Sequence, residues 1–150
     1  MSEVRSILLA EDNPRDAELT LEALAQHNLA NEVVLVQDGA EALDYLYRRG
    51  KYQDRSSGNP AVVLLDIKMP KVDGLEVLRT LKSDPALRTT PVVLLTSSRE
   101  ERDLVEGYKL GVNAYVVKPV NLLDFMESVK QLGVFWAIIN EPPLGSSKPR

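Results

Sequence analysis

Val62-Val63-Leu64-Leu65-Asp66-Ile67-Lys68-Met69-Pro70-Lys71-Val72-Asp73-Gly74 is the stretch on which the fold class turns. Four consecutive apolar residues, two of them β-branched, read as a strand buried on both faces, which is the habit of a parallel sheet. A carboxylate closes the run, with Pro and Gly close behind to turn the chain. Open α/β sheets place their chemistry at that edge. Taken alone, Asp66 could equally cap the loop that follows.

Working outward, Ser6-Ile7-Leu8-Leu9-Ala10 is a second apolar run, β1, that stops at Glu11-Asp12-Asn13-Pro14. Asn13 can serve as N-cap and Pro14 as first residue of a helix, α1, whose Ala17, Leu21, Leu24 and Ala25 recur at helical spacing through Asn28. Val33-Val34-Leu35-Val36 forms β2. Asp38-Gly39 then opens α2, with Ala42, Leu43, Leu46 and Tyr47 as its stripe. Arg49 to Pro60 is polar and irregular. After the Asp66 strand, β3, Asp73-Gly74 starts α3, with Leu75, Leu78, Leu81 and Lys82, which ends near Asp84-Pro85 because proline cannot continue it.

Val92-Val93-Leu94-Leu95 is β4 and delivers Thr96. Arg99 to Leu110 is a charged helix, α4, stopped by Gly111; its run Arg99-Glu100-Glu101-Arg102-Asp103 reads as a solvated face. Asn113 to Val117 is β5, terminated by Lys118-Pro119. The last helix, α5, starts after Asn121 and runs to about Asn140, and Glu141 to Arg150 reads as a frayed tail. Five strands alternating with five helices predict an α/β, doubly wound parallel sheet covered on both faces. The expected division is one domain over 1–140 and a tail over 141–150.

The 150 residues, 44% hydrophobic and 27% charged, suit one globular domain. A formal charge of -4 with no basic run longer than two residues argues against a nucleic-acid surface. The absence of Cys removes disulfides, thiolate metal sites and a Cys nucleophile. No apolar run reaches the length of a membrane span, and Met1 to Arg5 lacks the apolar core of a signal peptide, so the expectation is a cytoplasmic protein without a membrane partner. His27 reads as an exposed residue near a helix end.

The strand ends supply Glu11, Asp12, Asp66, Thr96 and Lys118, all opening onto one crevice. Two carboxylates 4 Å apart repel by about 4 kcal/mol at an effective dielectric near 20, so such a cluster needs a cation. Oxygen ligands without His or Cys point to Mg2+. A carboxylate, a magnesium ion, a hydroxyl and an ammonium together suit phosphoryl transfer.

Glu11-Asp12, Asp66-x-x-Met69-Pro70-x-x-Asp73-Gly74, Thr96 and Lys118-Pro119 closely resemble the receiver domain of two-component response regulators, over roughly Ser6 to Gly133. The resemblance implies a flavodoxin-like strand order 2-1-3-4-5 and makes Asp66 the phosphoacceptor. It implies Asp12, Asp66 and the backbone carbonyl of Lys68 as magnesium ligands, with Glu11 holding a metal-bound water. Thr96 would bond the phosphoryl group, Lys118 would pair with it, and Tyr115 would turn inward with Thr96 as the switch, altering the α4-β5-α5 face. A cis bond before Pro119 is common in the family. Lys68 and Ser98 sit where the family tunes access of hydrolytic water. Asp73 and Gly74 read as turn and helix start, with no part in the chemistry.

A narrower resemblance rests on Arg49-Gly50-Lys51-Tyr52, on Tyr108-x-x-Gly111-x-Asn113-x-Tyr115-x-x-Lys118-Pro119-Val120, and on Phe135-Trp136 in the extended final helix. These features look like the single-domain response regulators associated with phytochromes. The implied partner is a phytochrome-type histidine kinase. Phe135, Ile138 and Ile139 lie outside the core stripe of α5 and are candidates for a homodimer face. Two other readings share the acidic edge. A magnesium-dependent phosphohydrolase with an aspartyl nucleophile usually carries an acid two residues on, where this chain has Lys68. A pseudo-receiver that binds partners constitutively is disfavoured by the intact Asp12, Asp66 and Lys118. A nucleotide-binding Rossmann protein is disfavoured because Asp12-Asn13-Pro14 stands where a Gly-rich loop would follow β1.

Overall fold

The computed structural model describes residues 6–26, 32–55, 58–97 and 114–131. Its strands are β1 (Ile7–Ala10), β2 (Val33–Val36), β3 (Val62–Asp66), β4 (Val92–Thr96) and β5 (Ala114–Val117), and they form one sheet in the order β2-β1-β3-β4-β5. Every pairing is parallel, with Ala10 beside Leu65 and Asp66 beside Leu95. The doubly wound sheet and its strand order are therefore as expected. Because the order reverses between β1 and β3, the loops leaving those two strands diverge to opposite sides and open a crevice at their carboxyl ends.

Side chains alternate between two apolar layers, as the pleat requires. Leu8, Ala10, Val63, Leu65 and Leu94 pack with Leu46 of α2 (Gly39–Tyr47) and Val77, Leu78 and Leu81 of α3 (Gly74–Ser83). Ile7, Leu9, Val62, Leu64, Val93, Leu95 and Val116 pack with Leu24 of α1 (Pro14–Ala25) and Phe125 of α5 (Leu122–Gln131). Phe125 and the central strand residues are fully buried, each large side chain contributing about 1.5–3 kcal/mol. Among the described residues no helix is long and apolar enough to cross a membrane.

Each described α-helix begins where a side chain satisfies its free amides. Asn13 accepts from the N–H groups of Arg15 and Asp16 at 2.9 and 3.0 Å, ahead of Pro14. Asp38 accepts from Glu41 at 2.7 Å, Asp73 from Glu76 at 2.9 Å, and Asn121 from Asp124 at 2.8 Å. A cap of this kind is worth about 1 kcal/mol.

Three expectations need correction. α1 ends at Ala25, with Gln26 as C-cap, short of Asn28, and its inward face is Ala17, Thr20, Ala23 and Leu24 while Ala25 is exposed. In α2 the buried tyrosine is Tyr45, and Tyr47 is 37% exposed. The stretch from Arg49 to Pro60 holds a 3-10 turn, Gly50–Tyr52. Arg55 fixes it: its Nε donates to the Tyr45 carbonyl at 3.0 Å, its Nη1 to the Gly58 carbonyl at 2.7 Å, and its guanidinium lies 4.2 Å from the Tyr45 ring centroid. His27, Ser98, α4, Gly111, Asn113, the later turns of α5 with Phe135, Ile138 and Ile139, and the tail from Glu141 lie outside the described residues.

Candidate functional site

Glu11, Asp66, Thr96 and Lys118 stand at the carboxyl ends of β1, β3, β4 and β5, and the parallel register brings them to one edge. Lys118 is tied to the neighbouring strand end by its backbone N–H, which donates to the Thr96 carbonyl at 2.8 Å, and the Lys118-Pro119 bond is cis as the resemblance implied. Its side chain is only 12% exposed. Nζ lies 3.1 Å from Glu11 Oε1, 3.0 Å from Asp16 Oδ2 and 3.2 Å from Asp66 Oδ1. Burial alone would lower the Lys118 pKa, but the hydrogen bond to Asp16 and the charges of Asp66 and Glu11 raise it above the ordinary lysine value. The ammonium is thus charged at any physiological pH.

Asp66 is 4% exposed. Burial, reinforced by the negative charge of Glu11, outweighs the pull of Lys118 and pushes its pKa up to about 7. Glu11 is buried as well, and its Oε2 accepts the Asn13 N–H at 3.2 Å, while Asp12 is exposed. One carboxylate oxygen from each of Glu11, Asp12 and Asp66 lies within 4.8 Å of the others. A hard, all-oxygen donor set with one exposed member fits a divalent cation that keeps several waters. One ammonium does not neutralise Glu11, Asp16 and Asp66 together, so the charge count fits as well.

Thr96 is fully buried and its Oγ1 makes no hydrogen bond. Buried hydroxyls without partners are uncommon and costly; here the residue ends β4 at the carboxyl edge of the sheet, where an oxyanion could supply an acceptor. Lys68 is exposed in the loop after β3, and Tyr115 is half-buried on β5 against the α2 and α3 layer. Gly74 matters more than its reading as a helix start suggested. A Cβ there would stand 2.1 Å from the Asp66 carbonyl oxygen, and its N–H donates to the Ile67 carbonyl at 2.7 Å. Only glycine lets α3 begin against the backbone of Asp66.

The sequence reading missed Asp16. Its signal was available: Asp16 follows the Asn13 cap by three residues, so it lies in the first turn of α1, close to the crevice. A groove between α1 and β2, lined by Pro14, Ala17, Leu21 and Leu35 with Glu18 and Glu22, also adjoins Glu11 and Asp12.

A model of the response regulator receiver domain matches residues 7–130. The chain belongs to that family. Among solved structures, the receiver resembles the bacteriophytochrome response regulator AtBRR at 64% identity, with a TM-score of 0.88 over 93% of this chain and 100% of that one. It resembles the phosphorylated cyanobacterial phytochrome response regulator RcpA at 44% identity, TM-score 0.71, covering 89% of this chain and 94% of RcpA. Response regulator Rcp1 of Synechocystis sp. is 39% identical over 87% of each chain. A Mn2+-bound form of Rcp1 aligns with a TM-score of 0.70 at 36% identity, over 97% of this chain and 99% of that one. The receiver is therefore a relative of phytochrome-associated response regulators, and the acidic trio is consistent with a divalent-cation site.

Proposed function

We propose that this receiver takes a phosphoryl group onto Asp66 from a phosphohistidine of a partner kinase, in a magnesium-dependent reaction, and that a phytochrome-type light sensor is that kinase. The observation that carries the reading is the grouping at one sheet edge of buried Asp66, charged Lys118 and a buried Thr96 hydroxyl without a partner. Phytochrome-associated relatives favour the choice of kinase.

An Asp66 carboxylate oxygen attacks phosphorus, the P–N bond to the histidine breaks, and the leaving imidazole keeps the electron pair and takes up a proton. Lys118 pairs with the equatorial oxygens as charge gathers on them, and the Thr96 hydroxyl donates to one of them. Glu11, Asp12, Asp66 and the backbone carbonyl of Lys68 would hold Mg2+, Glu11 through a water. The cation supplies charge neutralisation to the transferring group. In the phosphorylated protein, Thr96 moves toward the phosphoryl oxygen and Tyr115 follows into the space it leaves, altering the α4-β5-α5 face. A second copy of the chain packs there, with Phe135, Ile138 and Ile139 in the contact. The chain works as a cytoplasmic switch that assists its own phosphorylation and hydrolysis.

Acetyl phosphate with magnesium tests this directly by intact mass. The wild-type chain is expected to gain one phosphoryl group and Asp66→Asn none; equal gain by both, or none by the wild type, removes the assignment. Light scattering on the same samples reads the dimer, and a monomer in both states removes that part.

A further inference from the structure

An ammonium has three N–H donors, and in this receiver three carboxylates surround the one on Lys118. Glu11, Asp16 and Asp66 stand 3.1, 3.0 and 3.2 Å from Nζ. Asp16 differs from the other two in place, since its side chain is 34% exposed against 0% for Glu11 and 6% for Asp66. It engages Nζ from the first turn of α1. The backbone of Asp16 is itself fixed, because its N–H donates to the Asn13 side chain at 3.0 Å, the same cap that sets the first turn of α1. A carboxylate whose backbone is fixed on one element thus pairs with a lysine that arrives 102 residues later on another.

A phosphoryl group on Asp66 must recruit Lys118 against this pairing. Its oxygens carry close to two negative charges, and the Asp16 carboxylate is in contact with the same ammonium, where it both competes for the N–H donors and opposes the incoming anion. We propose that Asp16 is a positioning residue that competes with Asp66 for the Lys118 ammonium and so slows phosphoryl uptake, a device that rests on the reading of Asp66 as phosphoacceptor. Asn at this position keeps an oxygen for the lysine and drops the charge. Glu keeps the charge on a longer arm.

The experiment measures initial phosphoryl uptake from acetyl phosphate at saturating magnesium, by intact mass, for the wild type, Asp16→Asn and Asp16→Glu. The small donor removes any effect on kinase docking. Asp16→Asn is expected to take up phosphoryl about fivefold faster, equivalent to about 1 kcal/mol of barrier, and Asp16→Glu to return to within about twofold of the wild type, taking a twofold difference as about 0.4 kcal/mol. A residue with only a structural role would give Asn and Glu variants that lose stability and gain no rate. Uptake by Asp16→Asn equal to or slower than the wild type overturns the proposal.

A second measurement does not depend on phosphorylation. In a double-mutant cycle of Asp16→Asn and Lys118→Met read by urea unfolding, the two effects are expected to be non-additive. Additive effects overturn the link between Asp16 and Lys118. A wild-type chain that takes up no phosphoryl group defeats the assignment of Asp66, and the cycle still decides whether Asp16 restrains Lys118.

Discussion

Two buried polar groups of this receiver sit at opposite ends of the same strand and are built on opposite terms. Ser6, just before β1, shares a 2.6 Å hydrogen bond with the Tyr45 hydroxyl. The Tyr45 ring meets Tyr52 edge-on with centroids 5.1 Å apart and carries Arg55 over its face. Tyr52 in turn donates to Glu41 at 2.7 Å, and Glu41 pairs with Lys51 and accepts the Gln37 N–H. Ser6, Tyr45, Tyr52 and Glu41 each have a side-chain partner, and the network ties α2 to the segment that follows it. At the other end of β1, Glu11 and Asp66 press two carboxylates together, Asp66 is shifted far from its ordinary pKa, and the Thr96 hydroxyl has no partner. The first group is arranged to hold the fold, and the second keeps capacity for something that arrives later.

That contrast predicts opposite responses to truncation, and the largest belongs to the tyrosine. Tyr45→Ala removes a ring that is 3% exposed together with its contacts to Ser6, Tyr52 and Arg55. A loss of about 3–5 kcal/mol in urea unfolding is expected, with Asp66 still able to take up a phosphoryl group at temperatures where the variant is folded. A loss below about 1 kcal/mol, the ordinary size for a single net hydrogen bond, would mean that the network holds little.

The pH dependence of stability sharpens the comparison from the other end. Asp66 rises from an ordinary 3.8 to about 7 in the folded chain, so between roughly pH 4 and 7 the folded state holds a proton that the unfolded state has released. Stability therefore falls as pH rises through that window and levels off above it. At about 1.4 kcal/mol per pKa unit, a shift of about three units is on the order of 4 kcal/mol. Urea unfolding of the chelated protein from pH 4.5 to 8 is expected to show this slope, and Asp66→Asn to flatten it. A wild-type profile parallel to that of Asp66→Asn would show that burial does not strain the carboxylate.

Much of this was readable without coordinates, and the reasons differ by region. The central strands are continuous apolar runs, and β1, β3 and β4 terminate in Glu11, Asp66 and Thr96, so periodicity and punctuation disclosed both the sheet and the members of its edge. Helix faces were harder. Tyr45 and Tyr47 are chemically alike, and only the position of Ser6 and Arg55, far apart in sequence, determines which one turns inward. Asp16 escaped for a related reason: its partner Lys118 is 102 residues away, and nothing local distinguishes a carboxylate that restrains a lysine from one that meets water. Gly74 was read as a helix start; its approach to the Asp66 carbonyl is a property of how α3 returns to the sheet.

The smallest effects divide the two groups most cleanly, because each variant removes a single oxygen. Tyr45→Phe deletes one end of the bond to Ser6 and leaves that buried hydroxyl without its partner, for an expected loss of about 1–1.5 kcal/mol. Thr96→Val replaces a buried hydroxyl that makes no hydrogen bond by a methyl group of nearly the same shape. Desolvation of that hydroxyl is already a cost in the folded state, so the variant is expected to unfold at the same urea concentration or higher, by up to about 1 kcal/mol. The same change is expected to reduce the phosphoryl group retained on Asp66, since the donor for one equatorial oxygen is gone. If Thr96→Val instead loses as much stability as Tyr45→Phe, the hydroxyl has a partner in solution, and the distinction between a satisfied network and an edge held in reserve fails at the residue where it is sharpest.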